Sequence, residues 1–287
     1  MNYVWYKTGE ALLEEIRREP EAGPGELAFW YMGQMGLVAK AAGVTVCFDP
    51  VLADLTGEDG ASRRNYPPPF AGEELTGVDW AVISHSHADH MDAATLRGLF
   101  QANPGIRFVV PAPEAHRLRE WGILERAVVP AEAGRPIELQ AGAVLTPVAA
   151  SHETYETDTQ GRHRYLGYVL SVNGVRLYHA GDTVCTETLI QDVRRLGPID
   201  VACLPINGAG AEFHSRGVQG NMDPKDAAYF ARQTGADLTL PMHSDMVRGN
   251  EGDPLLFAYA MRTLAPGRKY HIPQLGERFL YQKCNIA

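Results

Sequence analysis

Apolar positions recur along the chain with two periods, and the places where one gives way to the other outline its elements. Leu12, Leu13 and Ile16 stand at helical spacing and predict an amphipathic helix near Thr8 to Arg18. The runs ELAFWYMG and GLVAKAAGVTVCFDP come next, with Val44, Val46 and Phe48 alternating against Thr45, Cys47 and Asp49. That two-residue period, broken by glycines, predicts an antiparallel meander. After the proline-rich loop SRRNYPPPF, strand and helix alternate through DWAVIS, DAATLRGLFQ, IRFVVPA, PEAHRLREWG and RAVVPA. A second meander starts in RPIELQAGAVLTPVAASH and continues through YLGYVLSVNGVRLYHAGDT, where Asn173-Gly174 suits a two-residue hairpin turn. Helix TETLIQDVRRLG, strand IDVACLPING, a helix opening at Asp223-Pro224, strand ADLTLPMH and a helix opening at Asp253-Pro254 complete the series. In both late helices the aspartate serves as cap and the proline as first residue. A meander followed by alternating strands and helices, twice over, predicts an αββα sandwich: two mixed sheets face to face with helices on both outer faces. The expected unit is a single domain over 1–287, built of two similar halves at roughly 1–140 and 141–287.

Composition narrows this picture only a little. At 287 residues and 45% hydrophobic, the chain can bury a substantial core. A formal charge of −9 repels phosphate backbones, so a small polar or anionic substrate is expected and nucleic acid is not. The opening MNYVWYKTGEALLEEIRREP has no basic segment leading into an apolar one, and no later stretch approaches the roughly 18 apolar residues of a membrane span. A soluble, unexported protein with no membrane partner is therefore expected. Cys47, Cys185, Cys203 and Cys284 are far apart, without C-x-x-C spacing, and read as reduced thiols.

Chemistry enters with VISHSHADHMD, residues 82–92, which places three histidines and two aspartates directly behind an apolar run. His85 and His87 lie two apart in an extended segment and point the same way, toward one metal ion. Asp89 and His90 follow where the chain bends toward a helix capped by Asp92, and suit a second ion. Further ligand types stand at other predicted strand ends: His152 after VLTPVAAS, Asp182 after VRLYHAG and His243 after LTLPM. The assignment gives the first ion His85, His87 and His152, gives the second Asp89, His90 and His243, and lets Asp182 bridge both. Between them a bridging water, with its pKa lowered toward about 7, would supply hydroxide. Asp89 and Asp182 are the candidate catalytic carboxylates. Two loops leave the same edge. ETYETDTQGRHRYLG carries Arg162, His163, Arg164 and Tyr165, and NGAGAEFHSRGVQGN carries Asn207, His214, Arg216 and Asn221. Arg162, Arg164, Asn207 and Arg216 are the candidates for an anionic substrate group. His179 reads as a packing histidine, and His116 and His271 have no motif around them.

The segments SHSHADH, ASH, AGDT and PMHSD, in that order on those strand ends, resemble the metallo-β-lactamase superfamily of metallohydrolases. Within it, WYKTGEALLEEI, GELAFWYMGQMGL, YLGYVLSVNGVRLYHAGDT, LPING, GNMDPKDAA and PMHSDM resemble the L-ascorbate-6-phosphate lactonase family. The resemblance implies hydrolysis of a phosphorylated sugar-acid lactone with manganese or a similar divalent ion by a cytoplasmic homo-oligomer, and the imidazole and carboxylate pairs suit two ions of manganese, zinc or iron. Two other readings compete: a two-metal phosphodiesterase or RNA-processing nuclease, against which the acidic charge counts, and a non-catalytic metal-binding protein, which a missing ligand would favour.

Overall fold

The computed structural model describes residues 3–57, 59–140, 142–209, 215, 217 and 219–283. Helix α1, Gly9–Arg18, is followed by the meander β1 (Glu26–Gly33), β2 (Gly36–Ala41) and β3 (Val44–Phe48). Then come β4 (Trp80–Val82), α2 (Ala93–Ala102), β5 (Arg107–Pro111), α3 (Ala115–Glu120) and β6 (Val128–Ala131). The second series runs β7 (Ile137–Gln140), β8 (Ala143–Ala149), β9 (Leu166–Val172), β10 (Val175–His179), α4 (Glu187–Arg195) and β11 (Val201–Pro205). It closes with α5 (Pro224–Thr234), β12 (Leu238–Met242), α6 (Pro254–Leu264), β13 (Lys269–Tyr270) and β14 (Arg278–Gln282).

The strands form two seven-stranded sheets, ordered β14-β1-β2-β3-β4-β5-β6 and β13-β12-β11-β10-β9-β8-β7. Each turns from antiparallel to parallel pairing at one strand, β3 in the first sheet and β10 in the second. Strand β1 shows why the sheets lie inside. Leu27, Phe29 and Tyr31 face a core shared with Leu145, Tyr168, Leu177 and Leu240 of the second sheet. Its alternate residues Ala28, Trp30 and Met32 pack under Leu12, Leu13 and Ile16 of α1. Both faces are covered, so the strand reads as unbroken apolar sequence, with each fully buried large side chain worth about 1.5–3 kcal/mol. On the far side, Leu189 and Val193 of α4, Phe230 of α5 and Phe257 of α6 cover the second sheet. The expected αββα sandwich is thus the fold. Asp92, Asp223 and Asp253 accept the capping amide bonds at α2, α5 and α6. Asn173 and Gly174 both adopt left-handed φ, +52° and +79°, in the β9–β10 turn.

Two features differ from the pattern. Strand β14 crosses back from the second half to pair antiparallel with β1, at the outer edge of the first sheet. Strand β4 stops at Val82, short of the run DWAVIS, because the Ser84 amide donates to the carboxylate of Asp49 (2.7 Å) instead of to a neighbouring strand. Among the described residues no helix is long and apolar enough to cross a membrane.

Candidate metal centre

Strands β1, β3, β4, β8, β10 and β12 all run toward one edge of the sandwich, and the loops that leave their C-terminal ends meet there. The β4 loop brings His85, His87, Asp89 and His90. Single residues arrive from the loops after β8, β10 and β12: His152, Asp182 and His243. They form two clusters, His85, His87, His152 and Asp182 in one and Asp89, His90 and His243 in the other, each with its ligand atoms within 4.8 Å of one another. The division matches the spacing argument, although His85 and His87 do not lie parallel. Their rings meet at 80°, and His85 Nε2 faces His87 Nδ1 at 2.9 Å.

Asp182 joins the clusters. One oxygen, Oδ2, lies 3.9 Å from His85 Nε2, 3.8 Å from His152 Nε2 and 3.2 Å from His243 Nε2. The other, Oδ1, lies 3.2 Å from His90 Nε2, which is itself 3.5 Å from Asp89 Oδ2. Two ligands about 2.1 Å from a tetrahedral ion stand about 3.4 Å apart, so these gaps are those of atoms that share an ion. His90 makes the fit sharper. Its Nδ1 bonds Asp49 Oδ2 at 2.8 Å, which turns the lone pair of Nε2 toward two carboxylates. His90 Nε2 and Asp182 Oδ1 are buried and have no hydrogen-bond partner. The anions facing Nε2 call for a cation there, a proton in the metal-free protein or a metal ion in its place, so the residues fit a metal.

The histidines are held from behind. Asp49, at the end of β3, accepts from the Ser84 hydroxyl (2.6 Å), and that hydroxyl contacts His85 Nδ1 (2.9 Å). His152 Nδ1 donates to the Gly220 carbonyl (3.0 Å). Such outer partners fix the tautomer and aim the inner nitrogen. Asp49, Ser84 and Gly220 are the site residues that sequence reasoning missed. The usable signal for Asp49 was its place at the end of the meander, equivalent to that of Asp182 in the second half. Tyr165 walls the first cluster, its ring 5.1 Å from His85 and 5.2 Å from His152.

The clusters differ in electrostatics. Burial opposes charge on His90, but Asp182, Asp89 and Asp49 outweigh it and hold its pKa well above the ordinary imidazole value. Burial is outweighed by Asp182 and Asp89 at His243 also, whose pKa is pushed up to about 9. In the first cluster burial prevails, helped by His90 at His85, and the pKa values of His85 and His152 are pushed down. Burial would raise Asp89 and Asp182, yet the facing His90 and His243 hold both well below the usual carboxylate range.

Above the clusters lies a cavity of about 570 Å³, lined by His87, Asp89, His152 and Asp182 at its floor and by Asp54, Thr56, Arg63, Gln219 and Asn250 among its walls. The arginines expected to reach substrate are placed elsewhere. Arg162 forks onto Asp158 (2.8 and 2.6 Å), Arg164 pairs with Glu114 (2.5 Å), and neither lines the cavity. Each has taken a carboxylate within its reach, which loop composition alone does not reveal. Asn207 lies behind the wall, donating to Asn250 and accepting from Asn221. Arg216 and His214 fall outside the described residues, as does Cys284, while Cys47, Cys185 and Cys203 are free thiols. His179 is a packing residue: its Nε2 donates to the Met35 carbonyl (2.7 Å) and its ring stacks on Phe48.

A sandwich of two mixed sheets with a histidine and aspartate cluster at the strand ends defines a metal-dependent hydrolase of the metallo-β-lactamase fold. The match to the Beta-lactamase superfamily domain over residues 45–244 shows that the chain belongs to that superfamily. It is 29% identical over 265 residues to a UPF0173 metal-dependent hydrolase of Anaeromyxobacter sp. (strain K), covering 87% of this chain and 88% of that protein. It is also 29% identical over 192 residues to N-acyl-phosphatidylethanolamine-hydrolyzing phospholipase D 1 of Caenorhabditis elegans. That match covers 63% of this chain and only 54% of the nematode protein. The fold is that of Igni18, a metallo hydrolase from Ignicoccus hospitalis, with a TM-score of 0.68 at 20% identity over 90% of this chain and 100% of that one.

Proposed function

We propose that the chain opens a small phosphorylated sugar-acid lactone at a pair of divalent ions. The carrying observation is that Asp182, a member of the first cluster, also faces His90 and His243 of the second at 3.2 Å on the floor of one cavity. His85, His87 and His152 would hold one ion and Asp89, His90 and His243 the other, with Asp182 reaching both. Manganese, zinc or iron suits such mixed nitrogen and oxygen sets. When bound, the ions supply Lewis acidity and lower the pKa of water to about 7. The protein's own part is orientation and recognition. Asp49 and Ser84 aim His90 and His85, and Asp89 lies on the cavity floor among the second-cluster side chains. Arg63 is the one lysine or arginine among the described residues lining the cavity. Its guanidinium lies against Gly57, where a Cβ would come within 2.3 Å of Nε. Its pairing with Asp59 (3.0 Å) is half exposed and weak, so an anionic substrate group can replace it. The family resemblance also supports a cytoplasmic oligomer.

A second reading, hydrolysis of a phosphodiester, is favoured by the name of the nematode relative. Assay of manganese- and zinc-loaded protein against phosphorylated lactones, phosphodiesters and RNA separates the two. Lactone opening is the expected result. Turnover of phosphodiesters alone would transfer the site to the second reading, and no turnover of any substrate by metal-loaded protein would leave a metal-binding protein without this chemistry.

A further inference from the structure

Asp89 sits in a tight turn in which the His90 amide donates to the His87 carbonyl (3.0 Å), and its side chain is 19% exposed against 4% for Asp182. Gln34 reaches it from the other side of the site: its Nε2 donates to Asp89 Oδ2 at 2.7 Å. Gln34 occupies the β1–β2 turn, is 1% exposed and has φ +55°, a conformation that glycine adopts freely and L side chains rarely do. Its backbone is fastened on both sides. The amide donates to Asp245 Oδ1 (3.0 Å), and the carbonyl accepts from the His243 amide (2.8 Å). Asp245 is anchored in turn by the hydroxyls of Tyr31 and Tyr66, each at 2.7 Å. Gly33 is what admits Tyr66, since a Cβ there would lie 2.2 Å from its hydroxyl.

The turn itself does not need a glutamine. Glycine would meet the backbone requirement, and the side-chain Nε2 touches only the second cluster: Asp89 and, at 3.0 Å, His243 Nε2. Its Oε1 is buried without a partner, which leaves the bond to Asp89 as the side chain's main polar anchor. We propose that Gln34 is a positioning residue for the second cluster, holding the Asp89 carboxylate by one lone pair so that the other faces the cation. The proposal rests on the metal-dependent reading of the site. A carboxylate oxygen has two lone pairs, so donation from Gln34 and coordination do not compete.

Cobalt titration followed by visible absorption and calorimetry tests it, on wild-type protein and on Gln34→Met, which keeps the length and removes the donor. The expected result is first-cluster affinity within about twofold of wild type, second-cluster affinity lower by about 10–100-fold, and an unchanged thermal midpoint of the metal-free protein. If Gln34→Met does not fold, Gln34→Gly suits the left-handed turn and should give the same selective loss. Wild-type affinity for both ions in the variant overturns the role. So does equal weakening of both sites together with a lower metal-free midpoint, since that is a turn-packing effect. Wild-type protein that takes up no cobalt overturns the metal-dependent reading itself, and is distinguishable because it does not depend on residue 34.

Discussion

The two sheets feed one cavity in opposite ways. The first delivers four cluster side chains from a single loop, residues 85–90, immediately after β4. The second delivers three, each alone, from loops after β8, β10 and β12. A contiguous loop fixes the spacing of its ligands by local covalent geometry. The dispersed set has no such tether, and only the pairing of β8, β9, β10, β11 and β12 brings its members together. The first half therefore defines a local motif, whereas the second half makes the site depend on the whole sheet. His90 lies where the two schemes meet. Asp49, from the end of β3, holds one ring nitrogen at 2.8 Å, and Asp182, beyond the end of the corresponding strand β10, faces the other at 3.2 Å.

The largest expected effect comes from the dispersed half. Asp182→Asn removes the one carboxylate that reaches both clusters, so both ions should bind weakly and turnover should fall by several orders of magnitude with the fold intact. His85→Ala, one of four from the dense loop, should deplete the first cluster only. Elemental analysis with circular dichroism checks this; selective loss of one ion in Asp182→Asn would break the assignment of Asp182 as the shared ligand.

Asp49→Asn is the next test. It keeps the shape but replaces the anion behind His90, and second-cluster affinity should fall by about 10–100-fold, with a smaller loss at the first cluster, which Asp49 reaches only through Ser84 and His85. Competition with a chromophoric chelator measures it, and unaltered affinity would show that Asp49 serves only the β4 backbone through Ser84.

Proton release sharpens the contrast between clusters. The pKa of His243 is raised to about 9 and that of His90 is also raised, so both carry protons at pH 7 in the metal-free protein. An ion entering the second cluster must displace them, and its affinity should rise with pH until about 9. His85 and His152 are pushed down and already neutral at pH 7, so the first cluster should show little pH dependence there. Calorimetry in buffers of different ionisation enthalpy reads the protons released per ion. Equal release from both events would remove the distinction.

The smallest expected effect is at the cavity wall. Arg63→Ala should raise KM about 10-fold for a phosphorylated lactone, with kcat and metal content unchanged, because the contact is charge-assisted but partly exposed. Steady-state kinetics on matched phosphorylated and unphosphorylated lactones checks it; equal losses on both would place the anion contact elsewhere.

The contrast between the halves also explains what could be read in advance. H-x-H-x-D-H is legible because four ligand-type side chains fall within six residues. His152, Asp182 and His243 are each weak signals, legible only once every predicted strand end is compared. Asp49 precedes a proline in CFDP and looks like an ordinary turn residue; its role depends on Ser84 and His90, 35 and 41 positions away. The hold on His152 comes from a backbone carbonyl, Gly220, which leaves no side-chain trace. Arg162 and Arg164 share the composition of an anion-binding loop, yet Asp158 and Glu114 claim them, and composition does not record which carboxylate is nearer. The αββα pattern was legible from its repeated order, but the pairing of β14 with β1 was not, since nothing in RFLYQ identifies a partner near the other end of the chain.

That pairing bears on how the protein is made. Glu26 of β1 pairs with Gln282 of β14, so the outer rim of the first sheet stays unpaired during synthesis until the chain has been made through β14. The waiting strand is Leu-Ala-Phe-Trp-Tyr-Met, uncharged and apolar, a template on which a neighbouring nascent chain could add its own strand. Loss of β14 would leave every cluster side chain in the chain while turning that rim into an unpaired edge.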